Sequence, residues 1–185
     1  MTRPAFGSVR VRAREGVVLE IKAAAWRQVA AQGQENLSLR AVARELGVVS
    51  SSLYRYFPSR ESLLAALAAD AHQSLADRLS RSVDAPTAPA RWHSLCAAAR
   101  AWALDHPHQF ALLDAHPLPD AAAPLTHLAH ATGPHRAVLA WALLLGLLRF
   151  DLRLRPDAAA DCPYPETFFT EGTEARGAFL CAQDQ

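Results

Sequence analysis

The chain has 185 residues, of which 51% are hydrophobic and 20% are charged. This balance is typical of a globular protein and excludes an intrinsically disordered chain. The net charge of +1 conceals an asymmetry, because residues 1–60 carry ten Lys or Arg against four Asp or Glu, whereas residues 61–185 carry nine against fourteen. A basic N-terminal third on an acidic remainder indicates that the first part meets a polyanion.

The three cysteines, Cys96, Cys162 and Cys181, are odd in number and widely spaced. They predict neither a disulfide framework nor a zinc site, and they favour a reducing, cytoplasmic location. The N-terminus lacks the apolar segment of a signal peptide. The longest apolar run, residues 137–148, is too short to cross a bilayer, so we expect no membrane association.

Three helices are predicted in the N-terminal third. Apolar residues recur at helical spacing from Val17, and Gly33 ends this first helix. Ser38 is the candidate cap of the second helix, and Gly47 supplies the left-handed residue that stops it. Ser50 is the candidate cap of a short third helix, which a proline interrupts. Two short helices joined by a glycine turn, the second with an exposed polar face, are typical of a helix-turn-helix, whose second helix enters the major groove of DNA.

Further helices are predicted after this motif. Ser59 caps a fourth helix whose apolar stripe, Leu64, Leu67, Ala71, Leu75 and Leu79, continues to about residue 82. A Pro- and Ala-rich connector follows, and the remaining helices are expected around residues 92–102, 110–113, 134–154 and 167–181. No segment alternates with period two. We therefore predict an all-α fold, with an N-terminal three-helix domain at residues 1–60 and a larger helical domain at residues 61–185.

The stretch "LSLRAVARELGVVSSSLYRYFPSRESLL", from Leu37 to Leu64, resembles the DNA-binding signature of TetR-type transcriptional regulators. It has the Ser that opens helix two, a "VA" pair, "GV" at the turn, then "LY", "YF", an Arg and a Leu. The resemblance covers roughly residues 15–65. It implies that the second domain binds a small-molecule inducer and forms a homodimer.

The resemblance also implies two groups of DNA contacts. Serine hydroxyls, valine methyls and an arginine fork are suited to base edges, whereas tyrosines, a further arginine and a helix N-terminus are suited to phosphates. The positions expected to meet bases are Arg40, Val49, Ser50, Ser51 and Ser52. The positions expected to meet the sugar-phosphate backbone are Ser38, Tyr54, Tyr56 and Arg60. The alternative to DNA binding is that the serine-rich turn is an ordinary solvent-exposed surface.

Four arginines, Arg3, Arg10, Arg12 and Arg14, precede the predicted first helix. They are compatible with an arm that lies in the minor groove or along phosphates. A frayed, solvated tail is the alternative.

Four aromatic residues of the second domain are candidates for lining a pocket for an apolar or aromatic ligand: Trp92, Trp102, Phe110 and Trp141. Ordinary core packing is the competing interpretation. The segment around Trp141 is similar to a TetR subgroup in which a Trp is followed, one turn later, by a His-Gly pair. Because Leu145 stands where that pattern has His, no polar ligand contact is transferred, and Gly146 is expected to permit close helix packing.

Eight histidines raise the possibility of a metal site, with His106 and His108 close together and His127 and His130 one turn apart. We expect none, because no Cys pair or Glu accompanies them and they fall in segments expected to be proline-broken loops. The chain also lacks the nucleophile elbow, phosphate loop, dinucleotide fingerprint and zinc-protease motifs. We therefore expect no enzymatic activity and no cofactor.

The sequence thus predicts a homodimeric DNA-binding regulator. One short recognition helix buries little surface, so specific binding normally needs two half-sites of a palindromic operator and a two-fold protein. The helices at residues 134–154 and 168–179 are the expected dimer interface. We expect a repressor that a small-molecule ligand releases; the alternative is a DNA-binding protein of the same fold without an inducer, with an architectural or replication-related role.

Overall fold

The computed structural model describes residues 6–82, 84–116, 122–153 and 168–181. In these ranges every regular element is helical, which confirms the all-α prediction. A single-turn 3-10 helix, Gln34–Asn36, follows the first α-helix. The α-helices are α1 (Phe6–Gln32), α2 (Leu39–Glu45), α3 (Ser50–Tyr54), α4 (Arg60–Ser80), α5 (Ala88–Asp105), α6 (Pro107–Ala115), α7 (Ala122–Thr132), α8 (Ala137–Arg153) and α9 (Phe168–Cys181).

The chain divides into two compact units, Met1–Ala68 and Ala69–Gln185. The division falls inside α4, eight residues after the boundary that the sequence suggested at residue 60. Helix α4 therefore contributes residues to both units.

The core of the first unit is formed by apolar residues that recur every three or four positions on α1 and α2. Ile21, Val29, Val42 and Leu53 are all buried, so each of the three N-terminal helices contributes to it. Gly47 ends α2 with φ of 68°, as its position predicted. The N–H of Val48 donates to the carbonyl oxygen of Ala43 at 3.0 Å, which closes the helix end.

Two boundaries in this unit differ from the sequence prediction. Helix α1 begins at Phe6, well before Val17, so Arg10, Arg12 and Arg14 are helical and do not form a frayed tail. Arg3 lies outside the described residues, and contact of this segment with DNA stays a prediction. Helix α3 is capped at Val49, which has extended backbone angles, and Ser50 is already its first helical residue. The predicted cap at Ser50 is therefore wrong by one position.

The start of α4 follows the prediction closely. The N–H of Ser62 donates to Ser59 Oγ at 3.1 Å, and the N–H of Ser59 donates to Ser62 Oγ at 3.1 Å. This reciprocal pair satisfies two backbone groups at the helix end. All five residues of the predicted apolar stripe of α4 are buried.

The second unit packs α5 against α7 and α9, and α8 against α7 and α9. Its buried residues include Trp92, Leu112, Leu128 and Leu144, one from each of α5 to α8. A two-point ion pair joins α5 to α8, because Arg100 Nε and a terminal nitrogen of the same side chain donate to the carboxylate of Asp151 at 2.8 and 3.1 Å.

Helix α7 was not predicted from the sequence. Pro124 lies in its first turn, where a proline does not interrupt the helical hydrogen bonds. His127 and His130 consequently lie on a helix, and the expectation that they sit in a broken loop is wrong. Among the described residues, no group of three or more His, Cys, Asp or Glu is placed to hold a metal ion.

Within the same described ranges, no single helix has the length and apolar character needed to span a membrane. A pair drawn from α7 and α8, Pro124–Thr132 with Ala137–Leu152, meets those two criteria together, but its members are bent by 109°.

Candidate nucleic-acid interface

The helix-turn-helix presents the predicted base-contacting residues on one exposed surface. Arg40, Val49 and Ser51 are exposed, and Ser50 and Ser52 are half-buried. Val49 is 69% exposed, whereas Leu53, one turn later, is 2% exposed and anchors α3 to the core. Small side chains on the outer face of α3 leave its backbone accessible to a close partner.

A groove of about 480 Å³ lies where the start of α2, the end of α3 and the start of α4 meet. It brings together four predicted residues, Ser38, Arg40, Tyr54 and Arg60. Tyr54 is 45% exposed, so part of its ring is accessible to a partner. A ring with a hydroxyl at its tip can lie against a sugar and donate to a phosphate oxygen.

Ser38 occupies the cap position of α2 with extended backbone angles, φ −137° and ψ 122°, but its side chain makes no capping hydrogen bond. The predicted side-chain cap is therefore absent. Its backbone N–H instead donates to Gln28 Oε1 at 3.4 Å. Contacts from α1 and α4 fix this segment, so the hydroxyl of Ser38 is not needed to do so.

Arg60 supplies the α4 contact. Its Nε donates to the carbonyl oxygen of Leu37 at 3.1 Å, and its terminal nitrogen donates to those of Gln34 and Glu35 at 2.7 and 3.2 Å. The guanidinium thus ties the start of α4 to the 3-10 helix. Sequence reasoning missed this role because it depends on contacts across more than twenty residues of chain.

Glu61 follows Arg60 in the first turn of α4 and is exposed. A hydrogen bond from its own backbone N–H, a second from the Ser59 side chain and the nearby positive charge of Arg60 hold the pKa of this carboxyl below its ordinary value. The start of the helix is therefore arranged to favour negative charge.

Arg14, which the sequence placed ahead of the first helix, lies beside the end of α3. Its guanidinium carbon is 5.6 Å from the centre of the Tyr56 ring, within range of a cation–π contact. Tyr56 is half-buried, and Arg55 next to it is exposed. No local sequence signal links Arg14 to this pair, which lies far away along the chain.

Three of the four aromatic candidates of the second unit are buried, and the fourth, Trp141, is half-buried. Trp92 and Trp102 are buried, and their ring nitrogens donate to the carbonyl oxygen of Thr173 and to Ser74 Oγ, each at 3.0 Å. Phe110 is also buried, whereas Trp141 is half-buried with its ring centre 6.3 Å from that of His72. These contacts are those of core residues.

A cleft of about 350 Å³ between α5 and α9 has a different lining, which includes His93, Cys96, Arg100, Phe169 and Thr173. The guanidinium carbon of Arg100 is 5.5 Å from the centre of the Phe169 ring. Sequence reasoning named only Cys96 among these residues and did not place it in a cleft, because none of them belongs to a recognisable motif.

Comparison with known proteins places these features in a family. The sequence profile of the bacterial regulatory proteins of the tetR family matches residues 21–67. HTH-type transcriptional regulators of Mycobacterium tuberculosis and Mycobacterium bovis are 38% identical to this chain over 150 residues, which is 80% of the chain. The chain spans 64% of the length of these relatives. The nucleoid occlusion factor SlmA of Mannheimia succiniciproducens is 38% identical over 56 residues, 30% of this chain and 26% of its own.

Solved structures have the same fold. SCO4313, a protein to which a regulatory role is attributed, superposes with a TM-score of 0.68 at 28% identity, over 89% of this chain and 96% of its own. A bacterial regulatory protein of the tetR family from Rhodococcus RHA1 superposes with a TM-score of 0.62 at 19% identity, over 90% and 98% of the two chains. This chain therefore carries, at residues 21–67, the N-terminal domain of the tetR family of bacterial regulatory proteins.

Proposed function

We propose that this protein is a sequence-specific, DNA-binding transcriptional regulator that acts as a homodimer on a palindromic operator. The observation that carries the proposal is the exposed, serine-lined face of α3 directly after the Gly47 turn, inside the region that matches the tetR family. The 38% identical relatives from two mycobacteria, named as transcriptional regulators, support it.

In this proposal α3 reads bases. It has five residues, so it reaches about two or three base pairs, and its outward hydroxyls can donate to or accept from either base of a pair. Exposed Val49 is suited to a thymine methyl group, and exposed Arg40 to a guanine. Tyr54 lies where it can contact the adjoining phosphate and fix the register of the helix.

Homodimerisation is supported by an exposed apolar stripe on α8. Val138, Leu139 and Phe150 are exposed by 64%, 52% and 39%, and Ala142 and Gly146 lie between them on the same face. An added Cβ at Gly146 would meet nothing within 4 Å among the described residues, so no close helix packing around this glycine is seen there. A second copy that covers this stripe would benefit from a glycine at the crossing point.

Release by a ligand is the finer part of the proposal. The cleft between α5 and α9 offers room for a small molecule, and α4 carries residues of both compact units. A ligand that binds more tightly to the conformation unable to contact DNA would lower operator affinity. The loss is set by the difference between the ligand's binding free energies for the two conformations. The protein would then be a repressor that its ligand releases.

We place it in the cytoplasm, and we assign it no enzymatic activity because its relatives are named as regulators.

Selection of bound fragments from a random DNA pool tests the central claim. We expect a palindrome whose half-sites lie about one helical turn, roughly 34 Å, apart. In the selected site, Ser51→Ala should relax the preference at one or two base pairs and leave the salt dependence unchanged. Ser80→Ala, a serine at the end of α4, is the matched control and should change neither. Recovery of sequences without any common motif would refute sequence-specific regulation.

The second candidate is a DNA-binding protein without an inducer. The similarity of 56 residues of this chain to a nucleoid occlusion factor favours it, because that relative is not named as a transcriptional regulator. A compound library screened by thermal unfolding separates the two: ligand-dependent rises in Tm that accompany weaker operator binding indicate the regulator.

A further inference from the structure

Helix α1 extends beyond the packed part of the first unit. It begins at Phe6, yet its first buried residue among those from 11 onward is Ile21, and residues 11–17 are all exposed. At 1.5 Å per residue, residues 11–17 cover about 10 Å of helix. Because the side chains of this stretch are exposed, it is a candidate for binding a partner.

Arg14 lies on the same face of α1 as the core residue Ile21. Arg14 precedes Ile21 by seven positions, which is about two helical turns, so both side chains lie on the same face of α1. That face turns toward α3, and the Arg14 guanidinium carbon lies 5.6 Å from the centre of the Tyr56 ring. Arg12 is exposed and lies about 200° around the helix from Arg14, on a different face.

A cleft of about 380 Å³ opens at this point between α1 and the end of α3. It is lined by Ala13, Arg14, Val17, Arg55 and Tyr56. Two guanidinium groups and one phenol hydroxyl are its charged and polar groups, and none of the five lining residues is acidic. Such a surface attracts an anion that can accept several hydrogen bonds.

The position of the cleft identifies the anion. Arg55 caps the C-terminal end of α3, and Tyr56 follows it directly. When α3 lies in the major groove, residues just beyond its end meet the backbone that borders the groove. We propose that the α1–α3 cleft binds a DNA phosphate outside the bases that α3 reads, with Arg14 as its principal donor. This assignment rests on the proposed DNA-binding function.

The contact between Arg14 and Tyr56 gives the cleft its preorganisation. A guanidinium held near an aromatic face by a cation–π contact still has its N–H groups available to a phosphate. Less side-chain freedom is then lost when the phosphate arrives. The contact with Tyr56 thereby holds Arg14 at the cleft before the phosphate binds.

The test measures the affinity of the full chain for the palindrome selected from the random pool, over a range of salt concentrations. The binding constant K falls as salt rises, and one phosphate contact per subunit contributes about −0.9 to the slope of log K against log salt. Arg14→Gln should therefore make the slope of the dimer less negative by roughly 2. Binding to unrelated DNA should weaken by the same factor, since a phosphate contact carries no sequence information. Arg14→Lys, which keeps the charge, should keep the slope.

Two controls make the result specific. Arg12→Gln removes the same charge from a neighbouring position on a different face of α1 and should leave the slope near that of the wild type. A duplex trimmed to the palindrome itself should abolish the difference between the wild type and Arg14→Gln, because the flanking phosphate is missing. Equal slopes for the Arg12 and Arg14 variants on the long duplex would overturn the assignment.

Titration with inorganic phosphate distinguishes the source of the anion. Phosphate binding that Arg14→Gln abolishes, combined with unchanged DNA affinity in that variant, would assign the cleft to a free anion and overturn the DNA proposal. A wild-type protein that selects no DNA at all would refute the proposed function itself. A wild type that binds its operator with the same slope as Arg14→Gln would refute only this inference.

Discussion

Two glycines of the first unit are expected to respond in opposite ways to the same substitution. Gly47 has φ of 68°, and an added Cβ would meet nothing within 4 Å, so only the backbone conformation opposes a side chain there. Gly47→Ala should lower the free energy of unfolding by about 1 kcal/mol. Gly16 lies inside α1 with equally open space, so Gly16→Ala should raise it by about 0.5–1 kcal/mol. Denaturant unfolding measures both, and a destabilising Gly16→Ala would contradict the helical assignment of this segment.

Arg60 is expected to stabilise the fold more than Arg40 does. Its guanidinium donates to three backbone carbonyl oxygens, whereas Arg40 is exposed at the start of α2. Arg60→Gln should lower the free energy of unfolding by about 1–2 kcal/mol, because carbonyl groups lose a charged donor. Arg40→Gln should weaken operator binding and leave stability within about 0.5 kcal/mol of the wild type. Equal stability of the two variants would show that the carbonyl contacts contribute nothing.

At the scale of the element, α7 carries a histidine that couples stability to pH. His127 Nδ1 is buried and has no hydrogen-bond partner within the part of the chain that the structure describes. Burial, assisted by the charge of His130 and opposed by that of Asp77, lowers the pKa of His127 below its ordinary 6.5. The unfolded chain therefore takes up this proton first as the pH falls. The stability that neutral His127 contributes is present above pH 6.5 and is lost as the pH falls from there through the folded pKa.

Unfolding measured at about pH 7.5 and pH 5.5 checks the sign, because this interval spans the ordinary titration of histidine. The wild type should lose more stability between these values than His127→Gln does. His93→Gln, which removes an exposed histidine of the same unit, should keep the wild-type difference. A wild type that becomes more stable at the lower pH relative to His127→Gln would contradict the lowered pKa.

The elements that the sequence predicted well are those whose ends are set by local chemistry. Gly47 stops α2 and Ser59 caps α4, since a left-handed residue and a hydroxyl act within their own turn. Helix α7 escaped prediction because Pro124 suggests a break unless it falls in a first turn. The long α1 escaped it because residues 11–17 are exposed and show no apolar period that marks a helix.

Part of the candidate interface could be predicted from the sequence, and part depends on contacts between distant segments. The exposed face of α3 follows from its composition and from the anchoring of Leu53. The arrangement around Arg60 and the contact between Arg14 and Tyr56 join residues that are distant in the chain, and only the packing of three helices brings them together. Period and capping do not encode such contacts.

At the scale of the whole molecule, charge and apolar surface serve different tasks. Residues 1–60 carry a net charge of +6 and residues 61–185 carry −5. The positive part also carries the exposed α3, the groove beside Tyr54 and the α1–α3 cleft. The apolar stripe of α8 lies in the negative part. The proposed function gives these two parts different tasks, DNA binding to the positive part and self-association to the part that carries the α8 stripe.

The stripe of α8 yields the prediction that tests this division of tasks. Leu139 is 52% exposed, so Leu139→Glu should leave the subunit folded but place a charge where two copies would meet. We expect the wild type to sediment as a dimer and Leu139→Glu as a monomer at the same concentration. Val11→Glu is the matched control, since Val11 is equally exposed on α1 at 55%, and it should remain dimeric.

The same variant links dimerisation to DNA binding. A monomer engages one half-site, so Leu139→Glu should lose most of its preference for the palindrome over unrelated DNA, a ratio of about 10³ or more in specific binders. A duplex that contains a single half-site should be bound equally by the wild-type subunit and the variant, because α3 itself is unchanged. If Leu139→Glu remained dimeric and kept its operator affinity, the α8 stripe would not be the interface, and the exposed apolar residues would need another partner.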